Sequence, residues 1–302
     1  MRIGINGSGL LVRPSIEASV EHARQAAEQG FPSYWLAQVG AMEALTLISL
    51  AAQRAPGIEF GTAVIPTYPR HPASLAGQAM TAQAATGNRL VLGIGLSHKP
   101  VIEGSYGLSF DKPVRHMREY LSILLPLVRD GKVSFQGETL SATAELSLAD
   151  TKPCPVLVAA LGPQMLRLTG SRADGTILWM VGPRTIREHI APRISEAASL
   201  AGRPAPRIVA SLPVCVTGDL EATRERAGRA FTIYGQLPSY RAMLDREGVG
   251  NPVEACVIGS AAQVRDHLAA IDEAGATDFA AFEFCRTEAE REGTRELLRS
   301  LL

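Results

Sequence analysis

The residue types that can do chemistry gather where β-like runs end. Gly93-Ile94-Gly95-Leu96-Ser97-His98 closes one such run. Two glycines let a flat ring lie against bare backbone, and the imidazole beside them titrates near pH 7. The plainer reading is glycine for tight packing, with His98 a solvated loop residue. Ala159-Ala160-Leu161-Gly162-Pro163-Gln164 ends another run and opens a helix. Its Gly permits close backbone approach, its Pro suits a first helical turn, and free N–H groups with the helix dipole suit an anion such as phosphate. An ordinary strand-to-helix turn has the same residues. After a third run, Pro66, Pro69 and Pro72 fall within Gly61-Thr62-Ala63-Val64-Ile65-Pro66-Thr67-Tyr68-Pro69-Arg70-His71-Pro72 and make a stiff, irregular loop. Other strand-end positions are Asn6, Gln38, Trp179, Pro213 and Glu283 to Arg286.

These sites must be carried by the elements between them. Strands are expected at Arg2–Asn6, Ser33–Ala37, Ile58–Ile65, Arg89–Gly95, Pro155–Ala160, Gly175–Met180, Arg207–Val216 and Asp278–Phe284. At least one helical pattern separates each from the next, including Ser15–Gln29, Ala41–Gln53, Pro72–Ala85, Pro163–Arg172, Thr185–Ala201, Leu220–Glu247 and Ala261–Ala274. Between strands four and five lies an insertion, with a helix at Lys112–Arg129 and a hairpin-like stretch at Lys132–Leu148. Eight strand–helix units point to a single-domain (β/α)8 TIM barrel over residues 1–302, with chemistry at the C-terminal strand ends. The rival doubly wound sheet needs GxGxxG, and Gly7-Ser8-Gly9 has no glycine at position 12 to complete it.

Composition narrows the function. Lys plus Arg and Asp plus Glu both number 30, so no basic surplus speaks for nucleic acid. No apolar run reaches the ~18 residues of a membrane span, and Met1-Arg2-Ile3-Gly4-Ile5 does not read as a secretory leader. Cys154, Cys215, Cys256 and Cys285 lie far apart with no metal-ligand spacing, as expected of reduced thiols in a cytoplasmic protein. No metal is expected. The apolar residues Leu45, Leu47, Ile48 and Leu50 read either as an outward apolar face, which in the family that the motifs below resemble implies a homodimer, or as a buried helix pair.

Taken in order, several short segments resemble the luciferase-like superfamily of flavin- and deazaflavin-dependent oxidoreductases. They are Gly61-Thr62-Ala63-Val64 with Arg70-His71-Pro72, Gly87-Asn88-Arg89-Leu90 with Leu92-Gly93-Ile94-Gly95, Ala159 to Pro163, Arg172-Ala173-Asp174-Gly175, and Ile258-Gly259-Ser260 before Val264. Ser33-Tyr34-Trp35-Leu36 and His116-Met117-Arg118-Glu119-Tyr120 are similar to a branch that uses coenzyme F420. The resemblance implies a ring resting on a bulge at Ala63-Val64, which is often a non-prolyl cis peptide in relatives. It also implies Gly95, Ser97 and His98 flanking the ring, and a cofactor phosphate on Ala160, Leu161, Gly162, Pro163 and Gln164.

Two departures matter. Many relatives carry an acid and then His at the end of strand two, where this chain has Gln38-Val39. Gln38 can orient ring or substrate but cannot titrate. Sugar-phosphate dehydrogenase relatives have Glu where this chain has His98, so His98 is the expected catalytic acid or base. Three functions follow: an F420-dependent oxidoreductase passing a hydride to or from an uncharged organic small molecule, an FMN-dependent monooxygenase using oxygen, or a non-catalytic flavin-binding barrel. Trp179, Met180, Tyr234, Tyr240 and Phe284 are candidate apolar pocket residues.

Overall fold

A computed structural model describes all 302 residues. Eight parallel strands close on themselves: β1 Arg2–Asn6, β2 Ser33–Leu36, β3 Glu59–Thr62, β4 Leu90–Gly95, β5 Val156–Val158, β6 Gly175–Trp179, β7 Arg207–Val216 and β8 Asp278–Glu283. Each pairs with the next, and β8 pairs with β1 through Arg2↔Asp278 to Asn6↔Phe282. This is the (β/α)8 barrel expected. After β3 the chain resumes pairing with β4 at Ile65–Pro66, so the third strand is broken rather than continuous over Ile58–Ile65. A short strand at Val257–Gly259, which the periodicity did not reveal, pairs in parallel with the end of β7 from Val214 to Val216.

The helices follow their signals. Ser15 caps Ile16–Glu28 by accepting from Ala18 N–H, and Pro72 opens Pro72–Ala85. The insertion carries the helix Pro113–Asp130 and the hairpin Lys132–Gln136/Ser141–Glu145, as expected, plus an unexpected helix at Lys99–Tyr106. The Thr185–Ala201 pattern is one rod with a π-turn at Ile186–Ile190. The helix Glu288–Arg299 was also not anticipated, although its start carries a full capping box from Thr287 and Glu290. Leu45, Leu47 and Ile48 are buried within the barrel and only Leu50 is exposed, so these residues form no outward apolar face. No helix is long and apolar enough to cross a membrane.

Two cores result. The larger lies between strands and helices, which is why the strands are buried on both faces. The smaller fills the barrel lumen with Trp35, Val91, Leu157, Ile177, Val209 and Ala280. Trp35 is fully buried, and its Nε1 donates to Ser33 Oγ at 3.0 Å. Its ring takes the space that a side chain at residue 61 would need: a Cβ on Gly61 would lie 2.1 Å from it. Beneath the indole, the Arg207 guanidinium lies 5.4 Å from the ring centroid and is held by Asp278 and Glu59, each at 2.6 Å. These three charges begin β7, β8 and β3, so they seal the N-terminal face. Gly61→Ala is expected to cost about 1–3 kcal/mol by overpacking this plug. Urea denaturation checks it, and an unchanged midpoint would refute the packing account.

Candidate active site

At the opposite end of the barrel the floor is made where β3 breaks. Thr62 does the work of two ladder bonds there: its hydroxyl donates to Gly93 O at 2.7 Å and accepts from Gly93 N–H at 2.8 Å. The Ala63–Val64 peptide is cis, as the resemblance implied. Ala63 N–H donates to Leu36 O at 2.8 Å, and Val64 O accepts from Gln38 N–H at 3.2 Å. The Val64 side chain lies over the glycines of β4, for a Cβ on Gly95 would come 2.7 Å from Val64 Cγ2. Ala63, Val64 and Gly95 are thus brought together as a small, apolar shelf on the lumen plug.

Gln38 serves both shelf and loop, for its N–H holds Val64 O while its side chain turns to the loop that follows. Its Nε2 donates to Met42 O at 3.1 Å and its Oε1 accepts from Ala44 N–H at 2.9 Å. Both ends of the amide are therefore engaged by the loop that follows β2. Sequence reasoning missed Ser211. Its hydroxyl donates to Ala280 O at 2.7 Å and accepts from Asn6 Nδ2 at 3.0 Å, while Asn6 Oδ1 holds the Ser8 hydroxyl. Ser211 shows only as an isolated hydroxyl in a strand-like run, so no pattern marks it.

Ser97 has a left-handed φ of 61°, and His98 follows as the N-cap of Lys99–Tyr106. The His98 side chain makes no capping bond and its ring nitrogens have no protein partner. The ring lies edge-on to Tyr240 and Tyr234, with centroids 5.7 and 6.1 Å away. Burial pushes its pKa below the usual 6.5, so the imidazole is neutral at pH 7. The wall continues from Tyr234 to Trp179 at 6.0 Å and from Trp179 to Phe282 at 5.2 Å, with Phe231 packed among them. Trp179 Nε1 is buried on this wall. Phe284 joins this wall through Phe231, but Met180 is buried among core residues. Phe231, Tyr234 and Tyr240 come from the helices Leu220–Gln236 and Pro238–Glu247, so these two helices overhang the mouth.

The turn after β5 leaves backbone donors unused. Ala160 is buried, whereas Gly162, Pro163 and Gln164 are exposed at the start of the helix Pro163–Arg172. No side chain caps this helix, and the N–H groups of Gly162, Gln164 and Met165 find no protein acceptor. A Cβ on Gly162 would meet nothing within 4 Å. The buried His189, on the π-turn, fixes the turn by donating from Nε2 to Leu161 O at 2.7 Å. The order Gly162-Pro163 was legible in the sequence, but the His189 tether, 28 residues away, was not.

The luciferase-like monooxygenase family model matches residues 3–278. The chain belongs to the luciferase-like family. An uncharacterised protein of Mycobacterium tuberculosis is 30% identical over 74% of this chain and 69% of its own length. A 5,10-methylenetetrahydromethanopterin reductase of Methanolobus tindarius is 23% identical over 80% of this chain and 74% of its own. Among solved structures, an F420-dependent secondary alcohol dehydrogenase in complex with an F420-acetone adduct superposes with a TM-score of 0.82 at 18% identity, covering 100% and 98% of the two chains.

In this luciferase-like barrel the His116 to Tyr120 segment is a clamp. His116 Nε2 bonds Thr67 Oγ1 at 3.0 Å, its ring stacks on Tyr68 at 3.9 Å, and Tyr120 donates to Arg70 O at 3.0 Å. Glu119 accepts the N–H groups of Glu138, Thr139 and Leu140 and so ties down the hairpin turn. The proline-rich loop beside the shelf is thereby fixed to the insertion. Burial pushes the His116 pKa down to about 4. An unfolded chain carries it near 6.5, so between these values the unfolded state binds more protons and acidification destabilises the fold. The thermal midpoint is expected to fall by a few degrees from pH 7 to pH 5. The fall should be smaller in His116→Gln, and calorimetry showing equal pH slopes in both proteins would remove His116 as a cause.

Proposed function

We propose that this chain is an oxidoreductase that holds coenzyme F420 and passes a hydride between it and an uncharged organic substrate. The observation that carries this reading is a neutral, unpartnered His98 imidazole three residues past the Gly95 shelf. The small shelf of Ala63, Val64 and Gly95 fits one face of a flat ring, and the three free N–H groups at Gly162 to Met165 fit a phosphate. When bound, the deazaflavin supplies the carbon that takes up or gives back the hydride.

The remaining work falls to this chain's residues. Val64 and Gly95 would support one face of the ring, and the Gly162 turn would hold the phosphate with backbone dipoles. Trp179, Phe231, Tyr234 and Phe282 exclude water. The rings of Trp179, Phe231, Tyr234, Tyr240 and Phe282 carry no formal charge at neutral pH, which favours an uncharged substrate. A neutral imidazole starts as a base. His98 therefore accepts the hydroxyl proton of an alcohol at its bare ring nitrogen while the carbon-bound hydrogen leaves as hydride, and a carbonyl compound forms. The reverse reaction begins from the imidazolium and returns that proton to the alkoxide.

The family's monooxygenase description favours a second reading, in which reduced FMN and oxygen replace F420. Titrating the protein with F420 and with FMN by fluorescence tests both. We expect F420 to bind at least tenfold more tightly, and preference for FMN would overturn the first reading. Gly162→Asp should weaken cofactor binding by about tenfold, since it sets a carboxylate against the phosphate.

His98→Gln should lower turnover at least about tenfold with cofactor affinity near wild type. Because the deprotonated form is the base, wild-type oxidation should decline as pH falls through the lowered pKa of His98, below 6.5. That acid limb should be absent from the variant. Wild-type turnover in the variant would take His98 out of the mechanism.

A further inference from the structure

A cavity of about 910 Å³ lies on the outer side of the barrel, along one face of the helix Pro163–Arg172. That face presents Gln164, Arg167, Ser171 and Arg172 at helical spacing. The facing helix Pro113–Asp130 contributes Arg118, and Ala191–Leu200 contributes Leu200, which is 83% exposed. A second cavity of about 400 Å³ shares Gln164 and Arg118 and adds Lys112 and Arg115. Gln164 is also the end of the Gly162 turn, so the groove is continuous with the proposed phosphate position.

The charge in this groove is one-sided. The chain as a whole has 30 cationic and 30 acidic side chains, yet the two linings hold five cations and a single carboxylate, Glu196. Lys112 and Arg115 are neutralised by Glu138. Arg118, Arg167 and Arg172 make no ion pair, and Arg172 donates only to Ser122 Oγ at 3.0 Å. Nearby Arg129 and Arg203 are both tied to Asp174, so pairing is the local habit and these three depart from it. Burial, aided by the positive charges of Arg118 and Arg129, makes the Arg172 guanidinium easier to deprotonate, as expected where like charges are crowded. Leu168 and Leu200 give the groove an apolar floor suited to methylene spacers between anionic groups. A cleft of one sign concentrates field lines, and guanidinium groups grip carboxylates and phosphates in pairs.

We propose that this groove is a second anion site, which takes a run of carboxylates or phosphates leading away from the Gly162 turn. The inference rests on the reading of that turn as a phosphate site. The run is either a tail that the bound cofactor carries beyond its phosphate or a free polyanion. The test uses Arg118→Gln/Arg167→Gln, two exposed positions, with circular dichroism as a check on folding. Binding of a deazaflavin ending at its phosphate is compared with binding of one extended by several glutamates, and free tetraglutamate is tested alone by thermal shift.

We expect the variant to bind the extended deazaflavin at least tenfold more weakly and the short one as wild type does. The gain from the extension should also shrink as salt rises. Stabilisation of the wild type by tetraglutamate without deazaflavin, lost in the variant, supports the site and assigns it to a free polyanion. Equal binding of every probe by wild type and variant overturns the groove while leaving the cofactor reading intact. If neither deazaflavin binds the wild type, the cofactor reading fails, and the tetraglutamate arm still decides the groove. No response to tetraglutamate in that case overturns it.

Discussion

The close approach of β3 to β4 governs the working end of this barrel. Two adjacent strands cannot stay in register where one of them breaks, and the break would orphan both polar groups of Gly93 in a water-free interior. The Thr62 hydroxyl removes the conflict because it both donates and accepts. An orphaned buried group would cost roughly 1–3 kcal/mol, so this one side chain makes the bulge tolerable. Glycine at 93 is equally required, since a Cβ there would lie 1.9 Å from Thr62 O. Once the strands are this close, Val64 is carried over β4 and Gly95 must leave room for it. The shelf is thus a consequence of strand packing, and a flat ligand inherits a surface that the fold already needed.

That arrangement separates two electrostatic environments. The N-terminal face is closed by Arg207, Asp278 and Glu59 beneath Trp35, a plug that excludes water from below. The C-terminal mouth instead is walled by the rings of Trp179, Phe231, Tyr234, Tyr240 and Phe282 around one imidazole, His98. The ion pairs stiffen the closed end and keep their charge at the strand starts, away from the shelf. The surplus of cations lies elsewhere again, outside the barrel along the helix Pro163–Arg172. Core, mouth and groove therefore suit apolar packing, neutral chemistry and anion binding respectively.

Much of the scaffold was legible because its signals are local. Pro72 and Pro163 start their helices where expected, and the limits of Arg2–Asn6 and Arg207–Val216 follow from apolar runs bounded by turns. Two helices were missed for different reasons. Lys99–Tyr106 is a short helix opened by Pro100 inside an irregular insertion, while Glu288–Arg299 has its apolar stripe diluted by charge. The mouth was legible only in part. Glycines and prolines mark where backbone must bend, so Gly95 and the Gly162 turn stood out. Partners such as Thr62 with Gly93 or His189 with Leu161 are made by folding across 28 to 31 residues, and no spacing rule records them. Gln38 shows the converse: its position at a strand end was correct, yet the following loop uses both ends of its amide.

The loss of a titratable group at the end of β2 and the presence of one after β4 bear on each other. Gln38 can neither take nor give a proton, and the loop holds it fixed. Any acid or base work near the shelf therefore has to come from another strand end, and His98 is the imidazole that the aromatic wall surrounds. Its environment then sets its role. Tyr234 and Tyr240 desolvate the ring, and burial pushes both phenols upward in pKa, so they remain neutral and offer it no counter-charge. A histidine with a carboxylate neighbour would hold its proton at neutral pH, whereas one packed against phenols gives it up. The aromatic wall thus selects the basic form of the imidazole it surrounds.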